Sequence, residues 1–232
     1  MATAADLTLA SGLHQAGAVR SVDLAGPAGH LEALLNTGSP DAPLSALVCH
    51  PHPLFGGTMH SKVVYHAMKV FNAPAFGFEF PVLRFNFRGT GASQGQHHGQ
   101  DEAEDVHAAI RWLVNEYNRP VVVAGFSFGA AMAVRAACGC SQRVRSLAML
   151  GLPISASNRD YSYPELPLCD LPKLFLSGDN DRFAPADQLK RLAEVSAEPR
   201  KLELVAGADH FFTGALAQMQ TRLAGWLKEQ LA

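Results

Sequence analysis

Two serines of this chain could act as nucleophiles, because each is the centre of a Gly-x-Ser-x-Gly motif. Ser93 lies in residues 91–95, and Ser127 lies in residues 125–129. When such a serine stands on a sharp turn between a buried strand and a helix, its hydroxyl oxygen can attack a carbonyl carbon. The motif therefore predicts acyl-transfer chemistry where that strand–turn–helix context is present.

The residues around Ser127 provide this context. A β-branched apolar run, residues 121–124, precedes it and is typical of a buried central strand, and a helix-forming run, residues 130–137, follows it. Ser93 also follows a predicted strand, residues 82–87, but the glycine-rich segment after it cannot begin a helix promptly. We therefore predict that Ser127 is the nucleophile and that Ser93 lies in a loop.

A serine is a weak nucleophile and requires a histidine base, which is itself oriented by a carboxylate. On a strand–turn–helix scaffold of this kind the three residues follow one another in the order serine, acid, histidine. Of the ten histidines, only His210 lies beyond Ser127. His210 is therefore the predicted base.

Two aspartates compete for the role of the acid. Asp179 and Asp181 both lie in the polar turn after a predicted strand, residues 173–176. Asp181 is three residues past Gly178, far enough round the turn to face the histidine, whereas an aspartate at position 179 more often caps the turn. We favour Asp181, and Asp179 is the alternative.

The elements that position these residues alternate between strands and helices, which predicts a mostly parallel sheet with helices on both faces. Residues 20–24 and 30–35 instead predict an antiparallel hairpin at the sheet edge. The length of 232 residues suits a single domain, residues 1–232. Further strands are predicted at 44–49, 82–87, 121–124, 144–150, 173–176 and 201–205, and helices at 58–71, 101–118, 130–137, 186–197 and 214–231.

Composition narrows the classes of partner. The formal net charge of −2 and the scattered basic residues argue against nucleic-acid binding, and no apolar run is long enough to span a membrane. The first six residues lack the features of a signal peptide. We expect a cytoplasmic protein that acts on a small molecule; the oligomeric state is not predicted.

The four cysteines show no spacing typical of a disulfide framework or of a zinc site. Cys49 and Cys138 lie in apolar surroundings that are typical of buried free thiols. A reduced environment is the simplest expectation for such thiols. The four residues are Cys49, Cys138, Cys140 and Cys169.

Several histidines near the end of the third predicted strand raise the question of a metal. No carboxylate or cysteine nearby completes a ligand set, so we expect these histidines to orient the loop by hydrogen bonding, with no metal and no cofactor. His97 and His98 are predicted to lie in an exposed polar loop. The histidines near the strand end are His50, His52, His60 and His66.

Arg88 is the charged residue nearest the first glycine-rich loop. It could bind an anionic substrate, or it could brace that loop by pairing with a buried carboxylate. We favour the bracing role.

The chain resembles the α/β-hydrolases over nearly its whole length, because the turn at Ser127, the turn at 178–181 and the loop of His210 follow the order of that family. Residues 49–60 and 83–93 are similar to blocks of small, lidless, dienelactone-hydrolase-like bacterial hydrolases. The resemblance implies an α/β-hydrolase fold without a cap domain and serine esterase chemistry through an acyl-enzyme. Dienelactone hydrolases proper use a cysteine nucleophile, so the serine of this chain does not favour a lactone substrate.

Acyl transfer also requires two backbone N–H donors that stabilise the oxyanion. One is expected from Phe128, the residue after the nucleophile. The other is expected from residues 50–57, where the two prolines have no N–H and His52 and Leu54 remain. The likeness of this loop to that of dienelactone hydrolase favours Leu54, with His52 as the alternative.

The length of the segment between the nucleophile and the acid indicates how far the site is covered. Residues 151–172 are too few for a separate cap domain, so an open site is expected. Their apolar side chains could form one wall of the site beside Phe126 and Phe128, or could pack against one another. We expect Phe126 and His52 to contact the substrate, an ester of small to medium acyl chain. The alternatives are a peptidase or thioesterase with the same triad, and a catalytically silent binding module.

Overall fold

The structure is a computed structural model that describes residues 18–139, 143–156 and 159–231. Its main element is an eight-stranded sheet. The strands are β1 (Val19–Gly26), β2 (Gly29–Asn36), β3 (Ser45–Cys49), β4 (Val82–Phe85), β5 (Val121–Phe126), β6 (Val144–Leu150), β9 (Lys173–Gly178) and β10 (Arg200–Val205). Their order in the sheet is β1-β2-β4-β3-β5-β6-β9-β10. Two short strands, β7 (Ser155–Ala156) and β8 (Arg159–Asp160), pair antiparallel in a separate two-stranded sheet that the sequence did not predict.

The predicted fold class is confirmed. Strands β1 and β2 pair antiparallel as the expected edge hairpin, β2 pairs antiparallel with β4, and the remaining pairs in the sheet are parallel. Five helices flank the sheet in the described part of the chain. They are α1 (Lys62–Asn72), α2 (Glu102–Tyr117), α3 (Phe128–Ala137), α4 (Ala186–Val195) and α5 (Leu216–Leu231).

The helices cover both faces of the sheet, because the central parallel strands are apolar on both sides. Every residue of β3, β5 and β9 is buried. Helices α2, α3 and α4 pack on one face, and α1 and α5 pack on the other. Among the described residues, no helix combines the length and apolarity that crossing a membrane would require.

Of the element boundaries that differ from the prediction, two lie where a hydrogen bond to a side chain holds the backbone. Helix α1 begins at Lys62 rather than at residue 58, since the Thr58 N–H donates to Ser61 Oγ across 3.2 Å and closes a turn. Strand β4 ends at Phe85 rather than at residue 87, and the next residue, Asn86, accepts the Met59 N–H through Oδ1 at 2.9 Å.

The bracing role of Arg88 is confirmed. Its guanidinium binds the carboxylate of Asp105, with Nη2 at 2.7 Å and Nε at 3.0 Å from Oδ1. The Arg88 N–H also donates to Asp105 Oδ2 at 3.0 Å. Arg88 is 6% exposed and Asp105 is fully buried, so the pair ties the glycine-rich loop after β4 to helix α2.

We expect Asp105→Ala to lower the free energy of unfolding by about 3–5 kcal/mol, because it leaves the Arg88 charge buried without its partner. The exposed pair between Asp187 and Arg191, at 2.8 Å, provides the control, since Asp187→Ala should change stability little. Urea unfolding of both variants at one pH measures the difference. Equal changes in the two variants would contradict the bracing role.

The prediction that Cys138 is a free thiol is wrong. Cys138 follows α3, Cys169 follows a short 3₁₀ turn before β9, and their sulfurs form a disulfide across a Cα–Cα distance of 5.0 Å. The two residues are 31 positions apart, and no local pattern indicates that they meet. Cys49 is free and buried, as predicted, and burial raises the pKa of its thiol. Cys140 lies outside the described residues. The expectation of a cytoplasmic location rested on free thiols, and because two of the cysteines form a disulfide, it loses that support.

Removal of the disulfide by the double change Cys138→Ser and Cys169→Ser is expected to lower the free energy of unfolding by about 3–4 kcal/mol, as estimated for a loop of this length. Urea unfolding with and without dithiothreitol measures this effect. The reductant should destabilise the unmodified protein and leave the double variant unchanged; a variant that still responded to the reductant would refute the assignment.

Candidate active site

The predicted nucleophile stands on a strained turn. Ser127 joins β5 directly to α3 and has φ 54° and ψ −120°, a backbone conformation that costs free energy for a residue with a side chain. Both neighbouring glycines are required, because the backbone around them leaves no room for a side chain. A Cβ at Gly125 would lie 2.3 Å from the carbonyl oxygen of Gly129, and one at Gly129 would lie 2.5 Å from that of Cys49. The strand–turn–helix context predicted for Ser127 is therefore present.

Loops after β5, β9 and β10 bring three side chains together at the carboxyl edge of the sheet. His210 Nε2 lies 2.9 Å from Ser127 Oγ, and His210 Nδ1 lies 2.8 Å from Asp181 Oδ2. With the ring proton on Nδ1, the imidazole donates to the carboxylate, and Nε2 is left to accept the serine proton. This arrangement can generate an oxygen nucleophile at Ser127.

The structure places Asp181, and not Asp179, against His210. The Ser177 hydroxyl donates to Asp181 Oδ2 at 2.8 Å, and the Phe183 N–H donates to Oδ1 at 2.8 Å. Burial by itself raises the pKa of the Asp181 carboxyl, but the hydrogen bonds and the charge of its partners outweigh it, so the pKa falls below its ordinary value of 3.8. Asp179 Oδ1 instead accepts the Gly207 N–H at 2.7 Å and holds the loop after β10.

Aromatic rings enclose the imidazole of His210. The ring centroids of Phe126 and Phe183 lie 5.0 Å and 4.7 Å from that of His210, and that of Phe211 lies 5.2 Å away. A Cβ at Gly151 would lie 3.1 Å from His210 Cε1, so a larger residue there would press on the ring. Phe126 is 1% exposed and packs against the base. Phe183 was not singled out from the sequence, although it lies two residues after Asp181.

Ser93 is held away from these groups by its own hydrogen bonds. Its hydroxyl donates to the carbonyl oxygen of Asn86 at 2.6 Å and accepts the Glu32 N–H at 2.9 Å. No helix follows it directly, since the next helix, α2, begins at Glu102. Ser93 therefore links the glycine-rich loop to β2, and its predicted loop setting is confirmed.

The loop after β3 lies beside the start of α3. Phe128 is the first residue of α3, so its N–H has no acceptor within the helix. The Leu54 N–H donates to the Nδ1 atom of His52 at 3.2 Å, and Leu54 is 69% exposed. The His52 ring is buried and lies 4.9 Å from the ring of Phe128. Thus the N–H predicted to bind the oxyanion is engaged by a side chain of its own loop.

His50 orients the same loop. Its Nδ1 donates to the Pro51 carbonyl oxygen at 2.7 Å, and its Nε2 accepts the Phe87 N–H at 3.0 Å. Burial lowers the pKa of His50 to about 4, so the ring is neutral at pH 7. Among the residues that the structure describes, no group of three or more histidine, cysteine, aspartate or glutamate side chains is arranged to hold a metal.

The prediction that His97 and His98 are exposed in a loop is confirmed for His98, but for His97 the predicted exposure is wrong. Its side chain is 10% exposed, its Nδ1 lies 2.7 Å from Glu102 Oε1, and its ring lies 4.7 Å from the ring of His52. Glu102 Oε1 also accepts the His98 N–H at 2.7 Å. Sequence reasoning missed Glu102; an acidic residue at the first position of a helix gives no sign that it faces a histidine on the preceding loop.

The segment before β9 packs its apolar residues against the core. Leu152, Tyr163 and Leu166 are all buried, and the Tyr163 hydroxyl donates to the carbonyl oxygen of Pro153. These residues join the main core, so the segment does more than pack among its own residues, and the wall beside Phe126 and Phe128 stays a prediction.

Comparison with known proteins gives consistent results. The sequence model of a family described as "Alpha/beta hydrolase domain" matches residues 56–228. An uncharacterised protein of Rickettsia prowazekii is 37% identical over an alignment of 198 residues, which covers 81% of this chain and 79% of that protein. A serine hydrolase without a lid from Xanthomonas campestris has a TM-score of 0.79 at 29% identity, covering 91% of this chain and 94% of its own. A dienelactone hydrolase of Anabaena variabilis shares the fold, with a TM-score of 0.77 at 17% identity and coverage of 93% and 99%.

Proposed function

Because the chain belongs to the alpha/beta hydrolase family, we propose that it is a serine hydrolase that cleaves carboxylic esters of small to medium acyl chain. The observation that carries this proposal is the position of His210, with its two ring nitrogens 2.9 Å from Ser127 Oγ and 2.8 Å from Asp181 Oδ2. A binding module has no need of this alignment, which serves proton transfer from a serine.

The proposed reaction begins when Ser127 Oγ bonds to the ester carbonyl carbon as its proton moves to His210 Nε2. The carbonyl electron pair moves to the oxygen and forms an oxyanion. When this intermediate collapses, the bond to the alcohol oxygen breaks, and His210 returns the proton to that oxygen. Water, deprotonated by His210 Nε2, then attacks the acyl carbon. The bond to Ser127 Oγ breaks, His210 returns the proton to that oxygen, and the acid is released. Asp181 remains ionised and stabilises the imidazolium in both steps.

For the oxyanion we propose the N–H groups of Phe128 and His52. Phe128 directly follows the nucleophile and begins α3. The choice of His52 over Leu54 is supported by the engagement of the Leu54 N–H with His52 Nδ1 at 3.2 Å.

A fluorophosphonate probe followed by peptide mass spectrometry tests the nucleophile, because such probes bond covalently to activated serines. The adduct is expected on Ser127. An adduct on Ser93, or no adduct on folded protein, would refute the triad and favour a binding module. A panel of ester, thioester and aminoacyl substrates with one common acyl group then separates esterase from thioesterase and peptidase activity. A higher kcat/KM for the thioester or the aminoacyl substrate than for the ester would overturn the ester assignment.

A further inference from the structure

Three large apolar side chains are exposed on the two loops that flank the candidate nucleophile. Phe55 is 81% exposed and Leu54 is 69% exposed on the loop after β3, and Phe211 is 54% exposed on the loop after β10. Exposed apolar groups that adjoin a reactive site are typical of binding surfaces. The other large apolar side chains exposed among the described residues are Val19, Tyr65, Leu168, Val195 and Leu231.

Ring contacts connect each exposed phenylalanine to the reacting groups. The ring of Phe55 lies 5.1 Å from the ring of His52, which lies 4.9 Å from that of Phe128, the residue after Ser127. On the other side, the ring of Phe211 lies 5.2 Å from that of His210. Phe55 therefore belongs to the loop of the oxyanion donor, and Phe211 belongs to the loop of the base.

The chemistry of the proposed function assigns a different part of an ester to each loop. His210 must return a proton to the alcohol oxygen, so the alcohol group has to leave on the side of His210, where Phe211 is exposed. The acyl group is bonded to the same carbon and projects away from the leaving oxygen. We propose that Phe211 binds the alcohol group of the substrate and that Phe55, with Leu54 beside it, binds the acyl group. The substrate class is thus an ester with apolar groups on both sides of the ester bond.

This inference rests on the proposed function, and two substrate series test it. The first keeps the alcohol and changes acetyl to butyryl; the second keeps the acetyl group and changes methyl to benzyl. Each change adds apolar area, and kcat/KM is expected to rise by about tenfold in each series if the added group is partly buried. Phe55→Ser should abolish most of the rise in the acyl series only, and Phe211→Ser should abolish most of the rise in the alcohol series only.

Matched controls are available at the opposite edge of the sheet. Leu168 and Val195 are 85% and 63% exposed, and both precede the amino ends of strands, β9 and β10, whose carboxyl ends lie near the triad. Leu168→Ser and Val195→Ser should leave unchanged the ratio of kcat/KM between butyryl and acetyl esters and the ratio between benzyl and methyl esters. All four substitutions replace exposed side chains, so circular dichroism is expected to show folded protein in each case.

The outcomes are distinct. If Phe55→Ser and Phe211→Ser lower both ratios equally, or if either control lowers them, the assignment of the two sides is overturned. If the two variants differ from the unmodified protein only above the solubility limit of the ester, Phe55 and Phe211 bind the ester–water interface and the inference is also overturned. Absence of fluorophosphonate labelling in the unmodified protein would identify a failure of the proposed function itself.

Discussion

Replacement of Ser127 by alanine is expected to lower kcat/KM for an ester substrate by about ten-thousand-fold or more, as loss of a serine nucleophile does in triad enzymes. The change removes the oxygen that lies 2.9 Å from His210 Nε2, and no other hydroxyl is within hydrogen-bond distance of that nitrogen among the described residues. Hydrolysis of a chromogenic ester at saturating and limiting concentrations measures kcat and kcat/KM. A loss confined to KM would mean that Ser127 contributes only to binding.

Ser93 provides the control for this experiment because it is the centre of the other Gly-x-Ser-x-Gly motif. Ser93→Ala removes a hydroxyl that bonds to the Asn86 carbonyl oxygen at 2.6 Å and to the Glu32 N–H at 2.9 Å. The expected result is a loss of stability on the order of 1–3 kcal/mol, from buried polar groups left without a partner, with kcat close to that of the unmodified protein. A large fall in kcat for folded Ser93→Ala, with Ser127→Ala still active, would reverse the assignment of the nucleophile.

The second large effect is expected at the acid. Asp181→Asn should lower kcat by about ten-thousand-fold, because an amide can hold the imidazole in the wrong tautomer and cannot stabilise the imidazolium. Asp179→Asn is the matched control, since Asp179 bonds to the Gly207 N–H at 2.7 Å and not to the base. It should retain most of the activity. Equal losses in the two variants would indicate a general effect on the turn rather than a role for Asp181.

The pH dependence of stability provides an independent measure of Asp181. Burial raises the pKa of its carboxyl. Hydrogen bonds from His210, Ser177 and Phe183 lower this pKa by more than burial raises it, so the folded pKa lies below the ordinary value of 3.8. A depressed pKa contributes stability that is present above the unfolded pKa and is lost as the pH falls through the folded pKa. The difference in unfolding free energy between the unmodified protein and Asp181→Asn should therefore shrink as the pH falls below 3.8. Urea unfolding between neutral and acidic pH measures it, and a difference that stays constant would contradict the shift.

Local patterns predicted most of the fold, because the helices and the edge strands carry their own hydrophobic period and the central strands are continuous apolar runs. The hairpin of β1 and β2 was recognisable from two alternating runs around a glycine–proline turn, and the parallel order followed from alternation of strands and helices. Some predicted boundaries were wrong where a hydrogen bond to a side chain holds the backbone. Strand β4 ends early as Asn86, the next residue, turns to bind Met59, which is 27 positions earlier.

Local sequence was enough to predict which serine has a nucleophile's backbone and which histidine can follow it in the chain. A strained turn requires glycines within two residues, so that information is local, and the single histidine beyond Ser127 left no choice. Distances between loops are not local. The folded structure was needed to show that Asp181 rather than Asp179 contacts His210 and that Cys138 meets Cys169. Each of these results depends on how separate loops converge at one edge of the sheet or how a helix end meets a distant turn, and the spacing of residues along the chain does not specify those distances.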